Sequence, residues 1–122
     1  MTAADFTLKT STDERGPVTV AVTGEVDATN AARFTAAVEE IAAERATVLD
    51  LSDLLYVDSA GFAALHRIVA GHMIAIALPS HSPLHRAAVL IDLPHHDAAK
   101  DAVAALSESG RGHGGRRNGT SG

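Results

Sequence analysis

The chain has no cysteine and no tryptophan. No disulfide, thiolate metal site or cysteine nucleophile is therefore available to it. Aromatic residues make up only 3 % of the sequence, one tyrosine and three phenylalanines. That is too little for a base-stacking platform of the kind that holds single-stranded nucleic acid. The core must be built from Val, Ile, Leu and Ala. No apolar run approaches the ~20 residues that span a bilayer. Residues Met1 to Phe6 carry neither a basic n-region nor an apolar h-region. No signal peptide is read there, and a cytoplasmic location is expected.

What is present is enough for one domain. The chain has 122 residues, of which 46 % are apolar. Its formal net charge is −5. The tail from Ser107 carries Arg111, Arg116 and Arg117 against Glu108, a net of +2, so residues 1–106 carry −7. Such an acidic body repels nucleic-acid backbones and anionic membranes. It suits a partner with a basic surface. The reading is one folded unit over 1–106 and a disordered Gly/Arg/Ser tail over 107–122.

Two alternating segments, Asp5 to Ser11 and Pro17 to Thr23, read as antiparallel strands joined by a turn at Asp13-Glu14-Arg15-Gly16-Pro17. Gly24 to Thr29 reads as a loop, and Asn30 as the N-cap of a helix. Phe34, Val38, Ile41 and Ala42 form that helix's apolar stripe, with Glu39, Glu40 and Glu44 facing water. Ala46 to Leu51 is a third strand. A helix from Ser59 buries Phe62, Leu65, Ile68 and Val69 and stops at Gly71. Met73 to Leu78 is a fourth strand. Ser82-Pro83 opens another helix, and Asp97 caps a last one through Leu106. The pattern is α/β, with a small mixed sheet of four strands, or five, covered by about four helices.

The segment Tyr56-Val57-Asp58-Ser59-Ala60-Gly61-Phe62 carries most of the functional information. A serine at a helix start meets free backbone N–H groups and the positive end of the helix dipole. Two readings are open: a capping residue, or a place for a phosphate. Asp58 is either an alternative cap or a group that orients a partner. Gly61 either eases the helix start or lets a partner approach closely. Asp27 either turns the loop before Asn30 or contacts a partner. A phosphate on Ser59 need not alter the fold, but it would repel nearby acids. At ~5 Å and an effective dielectric of ~20, one charge pair costs about 3 kcal/mol. The histidines form no obvious metal cluster. His81 and His85 are separated by a helix start, and His95-His96 are adjacent, so their side chains diverge. His66 lies about two turns beyond Ser59 and reads as a surface residue.

Gly24-Glu25-Val26-Asp27 before one helix, followed by Asp50-Leu51-Ser52-Asp53-Leu54-Leu55-Tyr56-Val57-Asp58-Ser59-Ala60-Gly61 opening another, resembles the STAS domain. Within that family it is similar to the bacterial anti-sigma factor antagonists. The resemblance covers roughly Phe6 to Leu106. It implies a non-enzymatic regulator that binds an anti-sigma factor with serine-kinase activity and so frees a sigma factor. Ser59 is the implied phosphorylation site, and phosphorylation the implied off-switch. Asp27, Asp58, Ser59, Ala60 and Gly61 are the implied partner-binding residues. A PP2C-type phosphatase is the implied resetting enzyme. No cofactor of the chain's own, no direct nucleic-acid contact and no membrane span are implied. Two departures from the family pattern stand out. The helix after Ser59 is about a turn short, and Asp92-Leu93-Pro94-His95-His96 replaces a Gly-Leu corner and a short fifth strand. They point to an alternative, a STAS interaction module without a phosphoswitch in a transport or stress-signalling assembly. A third reading, a phosphorelay receiver with Asp50 as acceptor, lacks its acidic pair, because Asp13-Glu14 falls in a hairpin turn and Lys100 on the last helix.

Overall fold

The computed structural model describes residues 4–12 and 16–115. Asp13, Glu14 and Arg15 of the expected turn, and residues 116–122 of the expected tail, lie outside them. The described chain runs β1 (Phe6–Thr12), β2 (Val18–Val26), α1 (Ala31–Ala42), β3 (Thr47–Asp50), β4 (Leu54–Val57), α2 (Ser59–Gly71), β5 (Ile74–Ala77), α3 (His85–Leu90) and α4 (Ala99–Gly115).

The strands form one mixed sheet in the order β1-β2-β3-β5. β1 pairs antiparallel with β2, and every other pairing is parallel. β2 is long enough to hold two strands in succession. Val18 to Ala21 pair with β3, and Gly24 to Val26 pair with β4. The α/β class and the mixed sheet agree with the sequence reading.

Strand alternation sorts the core into two layers. Val18, Val20, Val22, Leu49, Ile74 and Ile76 turn to one face, where Phe34 and Val38 of α1, Phe62, Leu65 and Ile68 of α2, and Ala88 of α3 cover them. The opposite face presents Val48, Ala75 and Ala77 to Ala102 and Leu106 of α4. β5, with the sequence Ile-Ala-Ile-Ala, thus turns its large side chains into the main core, on the side where α2 packs, and its small ones toward α4.

Several expectations need correction. The Gly24 to Thr29 loop is partly strand, because β2 continues through Val26. Glu25 N–H donates to the Asp5 carbonyl at 2.8 Å, extending the pairing past Gly24. The fifth strand is β4, before α2, formed by the short run Leu54 to Val57. Four residues are too few for alternation to stand out. Asn30 sits at the N-cap of α1 but does not cap with its side chain. It is buried, accepts from Asp27 N–H at 2.9 Å, and donates to the carbonyls of Glu25 and Ala4 at 3.0 and 3.2 Å. Glu39 is only partly open to water and pairs with His72 at 3.0 Å. α3 begins at His85, because Ser82 uses its hydroxyl in a local turn, accepting from Leu84 N–H at 3.1 Å. Asp97 does not cap α4. Its carboxylate accepts from Ser80 N–H at 3.0 Å. α4 continues past Leu106 to Gly115.

The corner after α3 is present in altered form. Asp92 takes the left-handed conformation, φ 55°, a role more often given to glycine. Leu93 N–H then reaches back to the Ala88 carbonyl at 2.9 Å, and the Leu93 side chain is buried. The following chain makes one parallel bridge, His96 with Ala77. His96 N–H donates to Ile76 and its carbonyl accepts from Leu78 N–H, at 2.7 and 2.8 Å. Pro94 has no N–H to lengthen this pairing.

Candidate functional site

The site lies where β2 and β4 end side by side. Val26 pairs with Val57, so the residues that follow, Asp27 and Asp58, leave the sheet from adjacent strands. Asp58 N–H donates to the Val26 carbonyl at 3.2 Å, which keeps the two exits together.

Asp58 is the N-cap of α2. One carboxylate oxygen accepts from Gly61 N–H at 2.9 Å, and the other from Ala28 N–H at 3.1 Å. One side chain therefore finishes the helix and clasps the Asp27 loop to it. The cap reading of Ser59 gives way, because Asp58 already occupies the capping position. Ser59 is the first residue inside the helix, and it is exposed. Phe62 N–H bonds the Asp58 carbonyl at 2.9 Å. With Gly61 and Phe62 satisfied, the amides of Ser59 and Ala60 are the ones left at the first turn of the helix.

Asp27 is held by its own loop. Its carboxylate accepts from the Thr29 hydroxyl at 2.5 Å and from Thr29 N–H at 2.9 Å. Its carbonyl accepts from Asn30 and Ala31 at 3.1 and 2.8 Å. The Thr29 hydroxyl is the main cause that holds the Asp27 carboxyl below its ordinary value, so Asp27 is an anion at neutral pH. Ala28 and Asp58 are joined by a hydrogen bond, and each is the chain neighbour of a predicted functional residue, Asp27 and Ser59.

Gly61 is buried. A Cβ there would lie 2.6 Å from Val57 Cγ1 and 2.9 Å from the Val26 carbonyl oxygen. The glycine is explained by close approach of α2 to the ends of β2 and β4. The five predicted residues are thus gathered at one corner with different standing. Ser59 is exposed, Asp27 and Ala60 are partly exposed, Asp58 ties the loops together, and Gly61 packs beneath. Sequence reasoning missed Thr29 and Ala28. Thr29 carries a readable signal, a hydroxyl two residues after an aspartate in a loop. Ala28 acts through its backbone and carries none.

Elsewhere, His66 Nε2 lies 3.0 Å from the Ile91 carbonyl, and the rings of His85 and His95 meet edge to face at 5.1 Å. Among the described residues, no helix is long and apolar enough to cross a membrane.

Comparison with known proteins places the chain. A family model described as "Mlab, STAS domain" matches residues 10–90. No curated protein matches the chain. Among solved structures, an anti-sigma factor antagonist from Mycobacterium paratuberculosis superposes with a TM-score of 0.67 at 21 % identity, over 84 % of this chain and 95 % of that one. The anti-sigma factor antagonist SpoIIAA in its unphosphorylated form gives 0.52 at 19 %, over 84 % and 97 %. An uncharacterized protein with a SpoIIAA-like fold from Shewanella loihica gives 0.54 at 11 %, over 87 % and 97 %.

Proposed function

The chain belongs to the STAS domain family, and from that premise we propose that it is an anti-sigma factor antagonist switched by phosphorylation of Ser59. It binds an anti-sigma factor with serine-kinase activity and thereby frees a sigma factor. It performs no catalysis of its own. ATP and magnesium belong to the kinase, and a PP2C-type phosphatase returns the serine to its free form in the cytoplasm.

The observation that carries this reading is the placement of Ser59. It is exposed at the first position of α2, with Asp58 taking the capping role that would otherwise occupy it. A hydroxyl so placed is accessible to a kinase. A phosphate there gains from the helix dipole and the Ser59 and Ala60 amides, so the fold tolerates it. The same phosphate adds up to two negative charges to the corner that already carries the Asp27 and Asp58 carboxyl groups. A partner surface matched to the unmodified corner then meets excess negative charge and extra bulk. Release without refolding follows. Asp27, Ser59 and Ala60 form the contact surface in this account. Asp58 and Gly61 hold it in shape.

The test is binding of Ser59→Ala and Ser59→Asp to a purified anti-sigma serine kinase from the same genome. The alanine variant is expected to be retained and the aspartate variant to be weakened by roughly tenfold or more, about 1.4 kcal/mol. Equal binding of both would sink the switch.

A second reading is supported by the match to a family model described as "Mlab, STAS domain" and by the altered corner at Asp92-Leu93. It is a STAS interaction module without a phosphoswitch, in a transport or stress-signalling assembly. A Ser59 that no kinase modifies, in a protein retained by such an assembly, would favour it.

A further inference from the structure

We propose that Leu55 and Tyr56, thrown outward by a bulge in β4, form a second docking surface for the same anti-sigma kinase, and that it receives an apolar patch rimmed with Lys or Arg. The inference rests on the reading of Ser59 as a partner contact.

Ordinary alternation along Leu54 to Val57 would put Leu54 and Tyr56 on one face and Leu55 and Val57 on the other. The register breaks that pattern. Gly24 pairs with Leu54 and the next residue, Glu25, pairs with Tyr56, so Leu55 is an extra residue on β4. The consequence is visible in burial. Leu54 and Val57 are both inside, at 2 % and 6 % exposure. Leu55 and Tyr56 are both outside, at 68 % and 49 %. A lone exposed apolar residue needs no explanation. Two large ones made adjacent by a bulge do, and bulges in parallel pairs are rare. Nothing in the core requires the exposed pair, since Leu54 and Val57 already fill it. Bulges recur beside functional sites, where they re-aim side chains.

Position and charge identify the occupant. Tyr56 is three residues before Ser59, and β4 leads into the Asp58 cap, so the exposed pair stands on the segment that carries the proposed switch. Its surroundings are acidic. Glu25 is exposed and stands opposite Tyr56 in register, Asp53 is exposed just before β4, and Asp27 follows the neighbouring strand. This charge repels phosphate-bearing surfaces, lipid or nucleic acid. It complements a protein face with an apolar centre and basic rim. Tyrosine is among the residues that most often dominate binding energy at such centres.

The probe is each purified anti-sigma serine kinase of the same genome, titrated against the full chain. Four variants are compared: Leu55→Ser, Tyr56→Ser, Ser59→Asp, and Leu90→Ser as an exposed apolar control on α3. Leu55→Ser and Tyr56→Ser are each expected to weaken binding about tenfold, with Leu90→Ser unchanged. If both bind within about twofold of the parent while Ser59→Asp is released, the docking surface is overturned and the switch stands. If both lose binding while Ser59→Asp does not, the surface stands and the switch falls. If no kinase binds the parent chain, both fall. Amide exchange in the parent complex needs no variant. Slowed exchange at Leu55 and Tyr56 on binding supports the surface, and unchanged exchange there overturns it.

Discussion

At the residue scale the site depends on how few groups hold it. Asp58 uses both carboxylate oxygens, one on the helix and one on the Asp27 loop. Asp58→Ala removes both and should cost about 1–2 kcal/mol, read by thermal or denaturant unfolding. Asp58→Asn should cost less, because its remaining carbonyl oxygen still caps the helix. The Thr29 hydroxyl bond favours the ionised form of Asp27. Thr29→Val should move the Asp27 carboxyl up toward its ordinary value, read by NMR titration. The sign follows from linkage. Because the folded-state value is depressed, the contribution of Asp27 is complete above its unfolded value of about 3.9 and is lost as pH falls through the lower folded value. The parent should therefore lose more stability than Thr29→Val on acidification across that window. Gly61→Ala should destabilise by about 1–3 kcal/mol, because the added methyl would lie 2.6 Å from Val57 Cγ1 and 2.9 Å from the Val26 backbone carbonyl, so the helix or strand ends must shift.

At the element scale the ends of segments were the hard part to read. Apolar periodicity located α1, α2 and β5, since each has a stripe or run that must be buried. Caps were less legible, because Asp58, Asn30, Ser82 and Asp97 all have a capping chemistry, yet only Asp58 caps with its side chain. The others spend the same oxygens on tertiary or turn contacts that no local pattern encodes. β4 was missed because it needs β2 to be strand as far as Val26, a long-range condition. The corner after α3 offers a test at this scale. Asp92 bears the strain of a left-handed conformation, so Asp92→Gly should stabilise the chain by up to about 1 kcal/mol, seen as a higher melting temperature. A fall on that substitution would show that the Asp92 side chain does more than turn the chain.

At the scale of the whole molecule the sheet divides the labour. Three helices and most of the large apolar residues cover one face, and α4 lies against the small residues of the other. The corner with Asp27 and Ser59 is thereby fixed from below by the main core and left open above. The motif pair was legible in sequence, and the structure shows how this chain joins its two halves: Asp27 and Ser59 flank the two ends of one hydrogen bond. The bulge at Leu55 was not legible, because a register shift appears only when both strands are seen. The acidic body carries a further consequence. Partner binding should weaken as salt rises, since exposed charges are screened beyond about 8 Å at physiological ionic strength. The most direct measurement of the central claim is phosphosite mapping. The chain is incubated with ATP and a kinase that binds it, and modified residues are located by mass spectrometry. A single phosphate on Ser59 is expected, with loss of the complex as it accumulates. Phosphate elsewhere, or a complex that persists once Ser59 is fully modified, would contradict it.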